Sequence, residues 1–310
     1  MKSRRSVKIA WMCVSNWLMV RSDTRSGAIQ NIFTNGWQVN KIFQPLIMVL
    51  LLLPLHTANS QTGGSPYLLL HGAIVRGDTS KPELALVFTG DEFAEGGIHI
   101  ASVLADQGVK GSFFFTGKFY RNPEFESLIQ ALLKGGHYLG AHSDQHLLYC
   151  TWENRDSLLV SQKQFNDDLL DNYNAMRTFG IAREDAPFFL PPYEWYNDSI
   201  AKWTRTMGLQ LVNFTHGTLS HADYTVPGSS GYRSSEEIFR SILDHELSDP
   251  SGLNGFILLT HIGTDPERTD KFYLYLEKLI EELKEQGYGF KRIDELLSRH
   301  NHWTEMLKHK

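Results

Sequence analysis

From residue 84 to the end of the chain one pattern recurs: a short apolar run, then a segment with helical spacing. The runs fall at 84–89 (Leu-Ala-Leu-Val-Phe-Thr), 112–116, 137–141, 187–190, 209–214, 255–260 and 290–293. Each is short enough for a buried strand, and most are bounded by Gly, Pro or a polar cluster. Helical spacing follows at Ile100, Val103 and Leu104, at 123–133, 155–176, from 198, at 235–247 and 269–286, and up to about 300. Strand–helix alternation of this kind predicts a mostly parallel sheet with helices outside it. Seven such units in about 250 residues favour a closed or nearly closed β/α barrel, in a single domain, over an open doubly wound sheet. The turn after the first strand also lacks a glycine-rich nucleotide loop.

The chain has 310 residues, and the first sixty differ from the rest. Residues 46–55 (Leu-Ile-Met-Val-Leu-Leu-Leu-Leu-Pro-Leu) follow Lys41 and precede Ala58-Asn59-Ser60. A basic flank, an apolar stretch of this length and small residues at the exit predict a signal peptide cleaved near Ser60, and hence an exported protein. Residues 1–60 are expected to be a leader and 61–310 the barrel. The leader holds seven Lys/Arg and one acid, which leaves 23 bases and 34 acids in residues 61–310. An acidic body of this kind argues against nucleic acid as a partner, and no stable protein partner is signalled. The two cysteines, Cys13 and Cys150, fall on opposite sides of the cleavage point. No internal disulfide is therefore expected, and Cys150 reads as a buried thiol.

In a β/α barrel the chemistry gathers at the C-terminal ends of the strands. Here those ends carry Asp91-Glu92, His142-Ser143-Asp144-Gln145-His146, Pro191-Pro192-Tyr193-Glu194-Trp195, the segment of His216, His221 and Asp223, and Thr260-His261. His142 and His146 are four apart, which aligns two imidazoles if the segment enters a helix. With Asp91 they would complete a two-histidine, one-carboxylate set for Zn2+ or a harder first-row ion.

In order, these segments resemble the polysaccharide deacetylases, the NodB-type domain of carbohydrate esterase family 4, over residues 71–299. The resemblance implies a distorted (β/α)7-type barrel and a metal-dependent hydrolase that removes N- or O-linked acetyl groups from glycans. It implies metal ligation by His142 and His146, with Zn2+ first and Co2+ or Ni2+ as substitutes. It also implies an acid role for His261, oriented by Asp223, and a groove wall at Pro192 and Tyr193 with an oxyanion donor in the backbone near Tyr193. Two positions depart from the family pattern. Its Thr-Phe-Asp-Asp motif is here Val87-Phe88-Thr89-Gly90, with carboxylates one step later at Asp91-Glu92. The Arg that precedes Pro-Pro in the family is here Leu190. An Arg and its carboxylate partner are expected to vanish together, since either alone is an unpaired buried charge.

Asp91 is then expected at the metal, Glu92 or Glu194 as the base, and Trp195 and Tyr196 against sugar rings. The alternatives are a glycan-binding pseudoenzyme on the same fold and a metal-dependent amidase acting on a small molecule.

Overall fold

The computed structural model describes residues 67–297. The leader expected over residues 1–60 and the final helix beyond Leu297 lie outside the described residues. In chain order the strands are β1 (Leu68–Leu70), β2 (Ala73–Arg76), β3 (Glu83–Gly90), β4 (Ser112–Phe115), β5 (Tyr138–Ala141), β6 (Phe188–Phe189), β7 (Gln210–Leu211), β8 (Ile257–His261) and β9 (Gly289–Phe290). The helices are α1 (Gly97–Asp106), α2 (Gly117–Arg121), α3 (Glu126–Lys134), α4 (Gln162–Arg177), α5 (Asp198–Thr206), α6 (Ser235–Ser248), α7 (Leu276–Glu285) and α8 (Ile293–Leu297).

The main sheet runs β7-β6-β5-β4-β3-β8, with β9 also pairing β3, and every pairing in it is parallel. The ends of this path, β7 and β8, do not pair as strands. The segment after β7 spans the gap instead: Asn213 N donates to Ile74 O at 2.9 Å and Thr215 N to Ile257 O at 3.0 Å. This is the distorted β/α barrel of the sequence reading. Its strands are buried on both faces, as parallel strands covered by helices must be. Phe88, Phe113, Phe114, Phe115 and Phe189 fill the interior.

Three local expectations change. The helix expected from 155 starts at Gln162, because Ser161 and Gln164 form a reciprocal capping box there. The stretches opening at Pro123 and Thr269 reach their α-helices through short 3-10 turns, Pro123–Phe125 and Phe272–Tyr275. The antiparallel hairpin β1–β2 and the short helix α2 were not foreseen. Cys150 is a buried free thiol, as expected.

Register sets the rim. Thr89 lies opposite Phe114 on one side and His261 on the other. Gly90 pairs with Phe115, Phe115 with Ala141, and Ala141 with Phe189. The residues that follow each strand therefore emerge side by side, although they come from distant parts of the chain.

Candidate active site

His142 leaves the end of β5 buried and tightly held. Its backbone N–H is shared by Asn172 Oδ1 at 2.8 Å and Phe115 O at 3.1 Å. Its ring Nδ1 lies 2.8 Å from Leu190 O. A carbonyl only accepts, so Nδ1 carries the proton and Nε2 keeps its lone pair for another partner. His146 reaches the same place without a helix. Ser143 and His146 take left-handed backbone, with φ of 73° and 56°, and the bend brings the two imidazole centroids to 5.1 Å. The H-x-x-x-H spacing thus works through a bent loop and not through the helical face expected.

Asp168 of α4 is what secures that loop. It accepts from Ser143 Oγ at 2.6 Å, from Asp144 N at 3.1 Å and from Gln145 N at 3.0 Å. Asn172, one turn on, holds His142. Sequence reasoning missed both residues. The signal available was the i, i+4 placement of two polar residues on the inner face of an amphipathic helix.

Asp91 follows β3 and turns toward the histidines, with Oδ2 4.0 Å from His146 Nδ1. Its oxygens are already engaged. Thr116 Oγ1 donates to Oδ1 at 2.8 Å, and Lys118 Nζ lies 3.0 Å from each oxygen. The carboxylate arrives at 91 for a steric reason. A Cβ on Gly90 would come within 2.8 Å of Ile262, 2.9 Å of Phe119 and 3.0 Å of Phe115. Position 90 therefore has no room for an aspartate. Thr89, beside it, is buried, and its hydroxyl has no partner.

Across the rim His261 ends β8. Its Nδ1 lies 2.6 Å from Asp223 Oδ1, and its backbone N–H donates to Asp223 Oδ2 at 2.9 Å. Burial lowers the His261 pKa, but the Asp223 carboxylate outweighs it, so the ring is held above its ordinary value. Tyr193 and Glu194 form a turn with consecutive left-handed residues, φ of 58° and 53°. Burial pushes the Glu194 carboxyl up to about 7, with His261 pulling it down and Asp223 raising it. Glu92, by contrast, is exposed at the rim. Burial drives His142 and His146 down to about 3, so both are neutral near pH 7 and present lone pairs.

Pro192 is buried beneath the turn, and the Tyr193 ring packs 4.4 Å from that of His146. Trp195 is half-buried, with the Arg155 guanidinium 3.5 Å above its ring. Tyr196 is buried, and its hydroxyl donates to Leu70 O at 3.0 Å, so it is a packing residue and not a sugar platform. The exposed aromatic here is Trp152, edge-on to Tyr193 at 5.8 Å and 5.5 Å from Trp195. His221 stacks on Phe214, as does His216, and His221 lies within electrostatic reach of Asp223 and His261.

Among the described residues no three His, Cys, Asp or Glu side chains are gathered as a bound metal would require. The chemistry of the donors nevertheless suits a divalent ion: two neutral imidazoles, one with its tautomer fixed by a carbonyl, and a carboxylate beside them. The Asp91 carboxylate is paired with the Lys118 ammonium.

Residues 76–212 match the family model described as polysaccharide deacetylase. A peptidoglycan-N-acetylglucosamine deacetylase of Bacillus cereus is 28% identical over 205 residues, 66% of this chain and 82% of that protein. A peptidoglycan-N-acetylmuramic acid deacetylase of Bacillus subtilis is 26% identical over 230 residues, 73% of this chain and 76% of that protein. Among solved structures, a CE4 family pseudoenzyme from Bacillus anthracis superposes with a TM-score of 0.57 at 20% identity, covering 74% of this chain and 69% of that one.

Proposed function

We propose, from the match of residues 76–212 to the polysaccharide deacetylase model, that the chain belongs to that family and is an exported, metal-assisted hydrolase releasing acetyl groups from a peptidoglycan-like glycan. One observation carries the reading. The neutral His142–His146 pair after β5 and the Asp223-bound His261 at the end of β8 lie on the same rim, with the raised Glu194 carboxyl electrostatically coupled to His261.

His142, His146 and Asp91 would hold the ion, which when bound polarises the acetyl carbonyl and acidifies water. Glu194, poised near neutrality, accepts a proton from the attacking water. His261, fixed by Asp223, delivers a proton to the leaving amine or alcohol. The backbone amide at the Tyr193 turn donates to the oxyanion. Trp152, beside Tyr193, offers an exposed ring against which a sugar can stack. The export signal expected in the leader and the names of the relatives both support a cell-wall substrate.

The test is acetate release from peptidoglycan, chitooligosaccharide and acetylated xylan, with and without Zn2+, Co2+ or Ni2+. Metal-stimulated release from at least one substrate is expected. No release under any condition, with glycan binding intact, would overturn the enzyme reading in favour of a pseudoenzyme. The buried Thr89 hydroxyl, where the family places a carboxylate, is the observation that favours that second reading.

A further inference from the structure

Lys118 belongs to none of the roles above, yet it pairs with the carboxylate expected at the metal. Its ammonium lies 3.0 Å from both oxygens of Asp91, while the second donor to that carboxylate, Thr116 Oγ1, also caps α2 by accepting from Phe119 N. Asp91 Oδ2, the oxygen 4.0 Å from His146 Nδ1, thus already accepts from an ammonium.

The main chain that carries Lys118 is pinned. Gly117 N donates to Ser143 O at 3.1 Å and Lys118 N to Asp144 O at 3.3 Å, so the first turn of α2 is tied to the histidine loop itself. Close approach makes this contact dependent on glycine: a Cβ at 117 would meet Asp144 Oδ1 at 1.8 Å. Asp144 is fixed in turn by a two-pronged ion pair with Arg121, at 2.6 and 2.8 Å. Only the Lys118 side chain is left to move, and it is about one-third exposed, with water to swing into.

A divalent ion that ligates this carboxylate would stand beside the ammonium in a half-buried site, where like charges repel and draw on the same two oxygens. Resting on the metal-assisted reading, we propose that Lys118 and the metal ion compete for Asp91, so that Lys118 sets the metal affinity of this site. The lysine acts as an internal counter-ion that holds the carboxylate when the ion is away and must release it when the ion enters.

The experiment is titration of the full-length chain with Zn2+ and Co2+, by calorimetry and by competition with a chromophoric chelator. K118M keeps the stem and removes the charge, and it should bind at least about tenfold more tightly than the unaltered protein. K118R should bind more weakly, since a guanidinium forks onto a carboxylate more firmly than an ammonium. D91N should weaken binding and abolish the gain of K118M. Equal or weaker binding by K118M, or binding by none of the proteins, overturns the proposal. Acetate release, measured separately, keeps the readings apart. Tighter binding by K118M with no acetate from any form removes the hydrolase and leaves the competition standing. Acetate release with unchanged affinity does the reverse.

Discussion

At the scale of single residues, Glu194 is where conformation and chemistry conflict. A left-handed φ costs a residue with a Cβ about 1–2 kcal/mol relative to a right-handed one, and Glu194 adopts φ of 53° directly after Tyr193 at 58°. Glycine would relieve this. E194G is expected to raise the denaturation midpoint while lowering acetate release by at least about a hundredfold, the size of a lost general base. E194Q should lose activity similarly without gaining stability. The Glu194 carboxyl is held near 7, so the carboxylate that accepts a proton accumulates as pH rises through that value. kcat/KM should climb between about pH 6 and 8, and that limb should vanish in E194Q. A variant retaining both rate and limb would remove Glu194 from the reaction. The oddity of a glutamate after Pro-Pro-Tyr was legible in the sequence. Its backbone angle and its raised pKa were not, because both depend on packing by β7 and β8 segments far along the chain.

Among elements, α4 decides how well the histidine loop is built. Three hydrogen bonds from the loop end on the one Asp168 carboxylate. Bonds to a charged acceptor contribute about 1.5–3 kcal/mol each, and not additively. D168A should therefore cost about 3 kcal/mol in urea unfolding and weaken Zn2+ binding, while D168N should retain part of both. An unchanged metal affinity in a destabilised D168A would show that the loop keeps its shape unaided. The strands and most helices could be read from apolar periodicity, and the ends of β3, β5 and β8 from the polar residues that follow them. The start of α4 lies later than the apolar spacing alone predicts, because the Ser161-x-x-Gln164 capping box sits within a polar stretch. The hairpin β1–β2 and helix α2 escaped because their elements, three to five residues long, are too short to establish a repeat. With α2 went Lys118.

Taken as a whole, the molecule should be acid-sensitive. Burial lowers His137 to about 4, His142 and His146 to about 3, and His221 to about 4. His137 Nδ1 also accepts from Gly111 N at 3.1 Å, a bond an imidazolium cannot make. The unfolded chain takes up protons from about 6.5 downward while the folded one does not, so stability falls as pH drops toward 4. Three groups oppose this. Glu194 and Asp168, both raised, favour the fold at lower pH, and the raised His261 contributes fully below 6.5 and loses its contribution above. Four deeply depressed histidines outweigh them. The urea midpoint should be lower at pH 4.5 than at pH 7, and an equal or higher midpoint would contradict the burial of these rings.

The packing at the end of β3 limits which substitutions the chain can accept. Strand β3 is locked between β4 and β8, and a slip of one residue would invert its whole buried face. Thr89 sits in a buried slot, Gly90 is hemmed in by Ile262, Phe119 and Phe115, and Leu190 stands where a compensating arginine would be needed. Aspartate at 89 alone would strand a charge, arginine at 190 alone would do the same, and aspartate at 90 would collide with three side chains. These positions are bound by epistasis. T89D, G90D and L190R should therefore each destabilise the fold when made singly.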